Sequence, residues 1–393
     1  MLWGRLYFNM LMDTISPQPG QVEHASEEET DLQPQHELNE RVRAEAEQYL
    51  TKPEFEAVFD AAVEAGALHA DVVEEYKGLE GDARIARFRE IFSDLNPRNP
   101  NKGGFVERSQ LKDAISSPGL AEAVTAAADS VHMREPKPIP VGTKAKLGIV
   151  HGGAAKTPLM REELMLDGLE KGDASVEYLA MLGIDRPVDE AERGRAGEYA
   201  GESTTEAELM DAAAVHWMRS RGLDDIVDTR DEHESTKQGG YTSGMKYKVI
   251  MYDMSVAKAD GRLTENFPDA LFVVNAPIDA TRLVREGAEG SLYKTRADTQ
   301  DTLDFVAKTA GVEAGDTVLS ISHQPVLEAQ HLATQEAFLG HGAEVVSAGY
   351  HSAALSGNQN VLFSEVCKVV ENAGSLRDKA ASAEVEDEEP IAA

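Results

Sequence analysis

From Lys146 onward the apolar residues fall into short, β-branched runs, separated by stretches in which they recur at helical spacing. The runs Leu147–His151, Val176–Leu182, Asp225–Asp228, Leu271–Asn275, Thr317–Ser322 and Glu344–Ala348 read as strands, and Pro158–Lys171, Thr205–Arg221, Asp298–Ala310 and Val326–Gly340 as amphipathic helices. Near-continuous apolar strands alternating with such helices predict a mostly parallel sheet with helices on both faces, a Rossmann-like α/β domain over residues 146–374. Residues 231 to 268 interrupt the rhythm: Asp231-Glu-His-Glu, a Gly-Gly-Tyr-Thr-Ser-Gly stretch and the Lys248–Met254 run predict an inserted loop with a hairpin or an extra strand.

Upstream, the period is helical. Ala57, Val58, Ala61, Ala62 and Ala65 share one stripe and Gly66 follows as a stop; Ile85, Phe88 and Phe92 mark a second helix over Arg84–Phe92, and Leu111–Val131 restarts the pattern. A helical region over residues 36–135 therefore precedes the α/β domain, joined to it by a stiff Pro-rich linker at 136–145. Residues 1–35, rich in Pro, Gln, Glu and Ser past the apolar Met1–Met12 opening, read as a disordered leader, and residues 375–393 as a disordered acidic tail.

Charge narrows the partners. Acidic residues outnumber basic ones 70 to 38, for a formal net charge of -32, and such a surface repels nucleic-acid backbones. One cysteine, Cys367, excludes an intramolecular disulfide and a Cys-rich zinc site. The eleven histidines show neither His-x-His nor His-Glu-x-x-His spacing, so no metal is expected. No run reaches the roughly 18 apolar residues that span a bilayer. The expectation is a cytoplasmic protein with no nucleic-acid or membrane partner.

In an open parallel sheet, ligands bind beyond the carboxyl ends of the strands, and the residues there are polar. After the first run come His151, Gly152 and Gly153, with Thr157 and Pro158 placed to cap and open a helix whose first turns carry Arg161. A Gly-Gly turn feeding a helix N-terminus turns backbone N–H groups toward an anion. Arg186 follows the second run, and Thr205-Glu206-Ala-Glu208 is a capping box that opens the next helix. Asn275 ends the fourth run; Arg296 stands just outside a helix capped by Asp298 or Thr299; His323 follows the fifth. The expected ligand set is His151, Gly152, Gly153, Arg161, Arg186, Asn275, Arg296, Asp298 and Thr299, with Glu206 and His323 as proton-transfer groups. Arg161 and Arg296, about 135 residues apart, are expected to meet one anion at this rim. No Gly-x-Ser-x-Gly elbow is present, and the residues name no cofactor.

The Gly152-Gly153 turn with Arg161, the Thr205-Glu206-Ala207-Glu208 segment, the Arg296-Ala-Asp-Thr-Gln-Asp helix opening and the strand Val318–Ser322 with polar residues after it are four short motifs. Through them the chain from about Lys146 to Gly349 resembles the domain-of-unknown-function family that contains the bacterial envelope proteins SanA and ElyC and their relative YdcF. The resemblance implies a Rossmann-like domain with a nucleotide- or phosphate-bearing ligand, and a link to envelope metabolism in some members. It supplies no reaction. The alternative is a scaffold whose degenerate α/β domain carries a helical region that binds a protein partner.

Overall fold

The structure, a computed structural model, describes residues 32–98, 111, 115, 117–153, 155–235, 247–276 and 298–388. The chain starts with helices α1 (Leu32–Leu50), α2 (Pro53–Glu64), α3 (Ala70–Lys77), α4 (Gly81–Leu95) and α5 (Pro118–Ser130). Next come β1 (Thr143–Val150), α6 (Thr157–Lys171), β2 (Ala174–Gly183), α7 (Glu190–Ala196), α8 (Glu206–Ser220) and α9 (Asp224–Asp228). The rest comprises β3 (Asp231–Ser235), β4 (Tyr247–Asp253), α10 (Ser255–Ala259), β5 (Ala270–Asn275), α11 (Thr299–Thr309), β6 (Thr317–Gln324), α12 (Leu327–Leu339), β7 (Glu344–His351), α13 (Ala353–Ser356) and α14 (Gln359–Glu388). Among the described residues no helix is long and apolar enough to cross a membrane.

The chain forms two compact units. Within the described residues, one consists of residues 138–322 and 341–348, and the other of residues 32–137, 323–340 and 349–388.

The first unit is the expected α/β fold. Seven strands form one sheet in the order β3-β4-β5-β2-β1-β6-β7. β1 lies parallel to β2 and to β6, and β2 parallel to β5, while β4 runs antiparallel to β5 and pairs with β3. The interrupting segment is thus a hairpin added to the sheet edge. From β1 the chain moves outward to β2 and β5, then returns to add β6 and β7 on the other side, so the direction reverses between β1 and β6. That reversal is where an open α/β sheet leaves a crevice beyond its carboxyl ends. All but the last residue of β5 and all but the first of β6 are buried, as strands covered on both faces require. Gly148 of β1 has no side chain where Met165 of α6 seats, at 2.9 Å from the position a Cβ would take.

One strand expectation fails. Asp225–Asp228 is not a strand but lies in the short helix α9, because Ile226 and Val227 are the only apolar residues there and Asp224 and Asp225 suit a helix first turn. The linker is also shorter than expected: β1 begins at Thr143, and Lys137 already exchanges backbone hydrogen bonds with Gly349 at 2.9 and 2.7 Å.

The second unit corrects the expected domain boundaries. The helix expected over Val326–Gly340 forms as α12, yet its Leu332 and Leu339 join a core with Val42, Phe55, Phe59 and Phe92 of the N-terminal helices and Phe363, Val366 and Val370 of α14. The helical region therefore takes α12 and α14 out of the segment assigned to the α/β domain. The tail expected to be disordered from 375 is helix as far as Glu388, since Val369, Ala373, Leu376 and Ala380 continue one buried stripe. Residues 32–35, assigned to the leader, belong to α1; residues 1–31 and 389–393 lie outside the described residues.

Phe59 is the hub of this helical core. Its ring centroid lies 5.4 Å from Tyr76, 5.3 Å from Phe88 and 5.1 Å from Phe92. Phe59→Ala is expected to destabilise the fold by about 3–5 kcal/mol, the cost of a large buried cavity, read as a lower denaturant midpoint.

Candidate functional site

The rim is built where β1 gives way to α6. After Val150 the chain makes the turn His151-Gly152-Gly153, and Ala155 then takes a left-handed conformation with φ 56°. Lys156, in the right-handed region, precedes the helix, so the helix starts one residue earlier than Thr157 capping would place it and carries no side-chain cap. A left-handed residue followed by a right-handed one turns successive N–H groups toward one concavity, an anion nest. Lys156 is exposed beside it, with no ion-pair partner among the described residues.

Behind the turn the polar groups are buried. Arg161 is 2% exposed, and its guanidinium donates to the carbonyl oxygens of His151, at 2.7 Å, and of Gly152. His151 Nε2 lies 2.9 Å from the Ser320 hydroxyl, and its backbone N–H donates to Ile321 across the β1–β6 pair. Burial and the Arg161 cation push the His151 imidazolium down to about 3, so this side chain is neutral. Glu162 is fully buried, neither of its carboxyl oxygens has a hydrogen-bond partner among the described residues, and burial together with the carboxylates of Glu163 and Asp211 raises it well above the usual carboxylate range.

Glycine is dictated by close approach at two points of this rim. A Cβ on Gly152 would overlap the Glu206 carboxylate and lie 2.5 Å from the Leu182 carbonyl; one on Gly153 would lie 2.8 Å from the Thr157 methyl. The structure thus brings His151, Gly152, Gly153, Arg161 and Glu206 together, but the Arg161 guanidinium, expected to meet an anion, is buried and turned to the backbone carbonyls of the turn.

Arg186 and Asn275 complete the edge at β2 and β5. Arg186 Nε donates to Glu206 at 3.0 Å, and its NH1 group to both oxygens of Glu192 at 3.0 and 3.1 Å. Asn275 Nδ2 donates to Asp185 at 2.6 Å. Residues between Arg186 and Glu206 form an excursion whose neck is closed by a bridge between Pro187 and Thr205, with a small core of Val188, Ala196 and Ala200 against Leu209. Tyr199 at its crown donates its hydroxyl to the Ala155 carbonyl at 2.5 Å. The excursion therefore rests directly on the turn after β1.

The other expected residues have other places. Asp298, not Thr299, caps α11, in a capping box with Asp301. His323 groups with the helical unit, where its ring stacks on Tyr350 at 5.4 Å. Arg296 lies outside the described residues. Among the described residues no three His, Cys, Asp or Glu side chains group as a metal site. Sequence reasoning missed Lys156, Asp185, the Tyr199 contact and the burial of Glu162. Only the last carried a signal, since Glu162 shares the stripe of Leu166 and Leu169.

Compared with family models, with curated proteins and with solved structures, the chain matches none.

The two buried titratable groups act on stability in opposite directions. Between pH about 3 and 6.5 the unfolded chain holds a proton on His151 that the fold lacks, so this contribution is complete above pH 6.5 and is lost as pH falls. Above pH 4.5 the fold keeps a proton on Glu162 that the unfolded chain releases, so that contribution shrinks as pH rises. Each limb has a slope of about 1.4 kcal/mol per pH unit. In denaturant titrations from pH 4 to 8, His151→Asn is expected to lose the acid limb. Glu162→Gln is expected to flatten the alkaline limb and to be more stable than the parent at pH 8.

Proposed function

We propose that the α/β unit binds a small phosphate-bearing ligand in the turn between β1 and α6. The observation that carries this reading is the left-handed Ala155 followed by right-handed Lys156 at the N-terminus of a 15-residue helix, with the Lys156 ammonium exposed beside it. Backbone N–H groups would hold the phosphate oxygens, the helix dipole would favour the charge, and Lys156 would neutralise part of it.

In this reading Arg161 supports the ligand without touching it, because its guanidinium fixes the two carbonyls that shape the turn. Glu206, whose carboxylate lies against Gly152 and is held by Arg186, is the group placed to accept a proton or a hydroxyl from the bound molecule. The motif resemblance to the SanA, ElyC and YdcF family belongs with this reading, as does a cytoplasmic location. The reaction, if the ligand is turned over, would be read from the ligand's identity.

Thermal unfolding in the presence of inorganic phosphate, nucleotides and sugar phosphates tests the reading. A ligand at 100 times its dissociation constant adds about 2.7 kcal/mol, so a binding compound raises the midpoint of the α/β unit. Lys156→Glu is expected to weaken binding at least tenfold without lowering the midpoint of the free protein, and Gly153→Val to abolish binding. No shift with any phosphate compound would overturn the reading.

A further inference from the structure

We propose that the ligand of this rim is a phosphate ester carrying a vicinal diol, and that Asp185, oriented by Asn275, accepts from its hydroxyls. The inference rests on the phosphate reading of the β1–α6 turn and extends it to the rest of the molecule bound there.

The carboxyl edge divides into two chemically different parts. At the end of β1 are backbone N–H groups and an exposed lysine. At the ends of β2 and β5 the charge is negative. Among the described residues the cations there are Arg186 and Lys248, the cross-strand partner of Asn275. Each already faces two carboxylates, Arg186 those of Glu192 and Glu206 and Lys248 those of Glu232 and Glu234. A second phosphate has no reason to sit at that place. Hydroxyl groups do, because a carboxylate accepts hydrogen bonds and repels anions.

Asp185 is the carboxylate suited to this. It is exposed, lies two residues beyond the end of β2, and has no ion-pair partner among the described residues. One of its oxygens is fixed by the Asn275 amide at 2.6 Å, which leaves the other, and a lone pair of the first, for a ligand. The amide orientation follows from chemistry, since the reverse would set a carbonyl oxygen against a carboxylate. The Asn275 Oδ1 is buried, so this amide orients the Asp185 carboxylate and does not itself face a ligand. A carboxylate whose two oxygens can each still accept, held in one orientation by an amide, matches two adjacent hydroxyls better than one.

The spacing fits. Gly152 lies against the Leu182 carbonyl, and Gly183 is paired with Asn275, so the turn and the Asp185–Asn275 pair stand one to two strands apart. That is about 5–10 Å at ordinary strand spacing, the scale of a pentose 5-phosphate from phosphate to ring hydroxyls. Two sources share this chemistry, a free pentose phosphate and a nucleoside 5′-phosphate.

Isothermal titration of the full chain with inorganic phosphate, ribose 5-phosphate, 2-deoxyribose 5-phosphate, AMP and 2′-deoxy-AMP tests the inference. The ribo compounds are expected to bind ten- to a hundredfold more tightly than their 2′-deoxy partners. In Asp185→Asn that ratio is expected to fall below threefold, with affinity for inorganic phosphate and the unfolding midpoint unchanged; Asn275→Ala is expected to reduce the ratio as well. AMP binding more tightly than ribose 5-phosphate identifies a nucleotide, and equal binding a pentose phosphate. Phosphate compounds that bind with no ribo preference, or a preference that survives Asp185→Asn, overturn the diol inference and leave the phosphate reading standing. Failure of every phosphate compound to bind overturns the phosphate reading itself.

Discussion

The buried guanidinium of Arg161 is the constraint on which the carboxyl edge of the sheet depends. A turn that places two glycines against a carboxylate and a threonine has few side chains of its own to hold it. Its carbonyl oxygens at His151 and Gly152 point inward, where an unpaired acceptor is costly. Arg161 satisfies both from the first turns of α6, and in doing so ties the helix to the end of β1. The same cation, with burial, keeps His151 neutral, so that its ring can share a hydrogen bond with Ser320 on the neighbouring strand. One side chain thus fixes the strand, the turn and the helix as a unit, and the Tyr199 contact on Ala155 is made to a surface already set.

The cost of this arrangement is concentrated nearby. Glu162, next in sequence, is buried without a hydrogen-bond partner among the described residues, and Asp211 is raised by burial while its carboxylate accepts from the Tyr252 hydroxyl. Buried polar groups of this kind reduce stability, and the apolar strands β5 and β6 with the helices packed on them supply the compensating burial. The left-handed Ala155 and the buried Glu162 both lie by the β1 turn, a combination common around binding sites.

Much of this was legible in the sequence, for physical reasons. Apolar runs bounded by turn residues marked β1, β2, β5, β6 and β7, and the capping box at Thr205 marked the start of α8. Asp225–Asp228 misled because two β-branched residues look alike in a short helix and a short strand. The direction of Arg161 was readable too, since it lies four residues before Met165 and eight before Leu169 on the buried stripe, although its charge argued for the surface. What no local pattern carries is the pairing of residues distant in sequence: Asn275 with Asp185, or Tyr199 with Ala155. The allocation of α12 and α14 was hidden for the same reason, because an apolar helix does not announce which core it fills.

The helical unit draws on three separated stretches of chain, the last of them near the carboxyl end. A ribosome therefore releases the N-terminal helices long before the partners of their apolar faces exist. Phe55, Phe59 and Phe92 emerge early, while Phe363, Val366 and Val370 follow some 270 residues behind, roughly 15–50 s at ordinary elongation rates. During that interval the α/β unit can finish folding while the first helices stay incompletely covered. Apolar surface left open for that long is the kind that aggregates unless it is shielded. Removal of α14 would leave those helices without their partners, so a loss at residues 359–388 would be felt some 270 residues upstream.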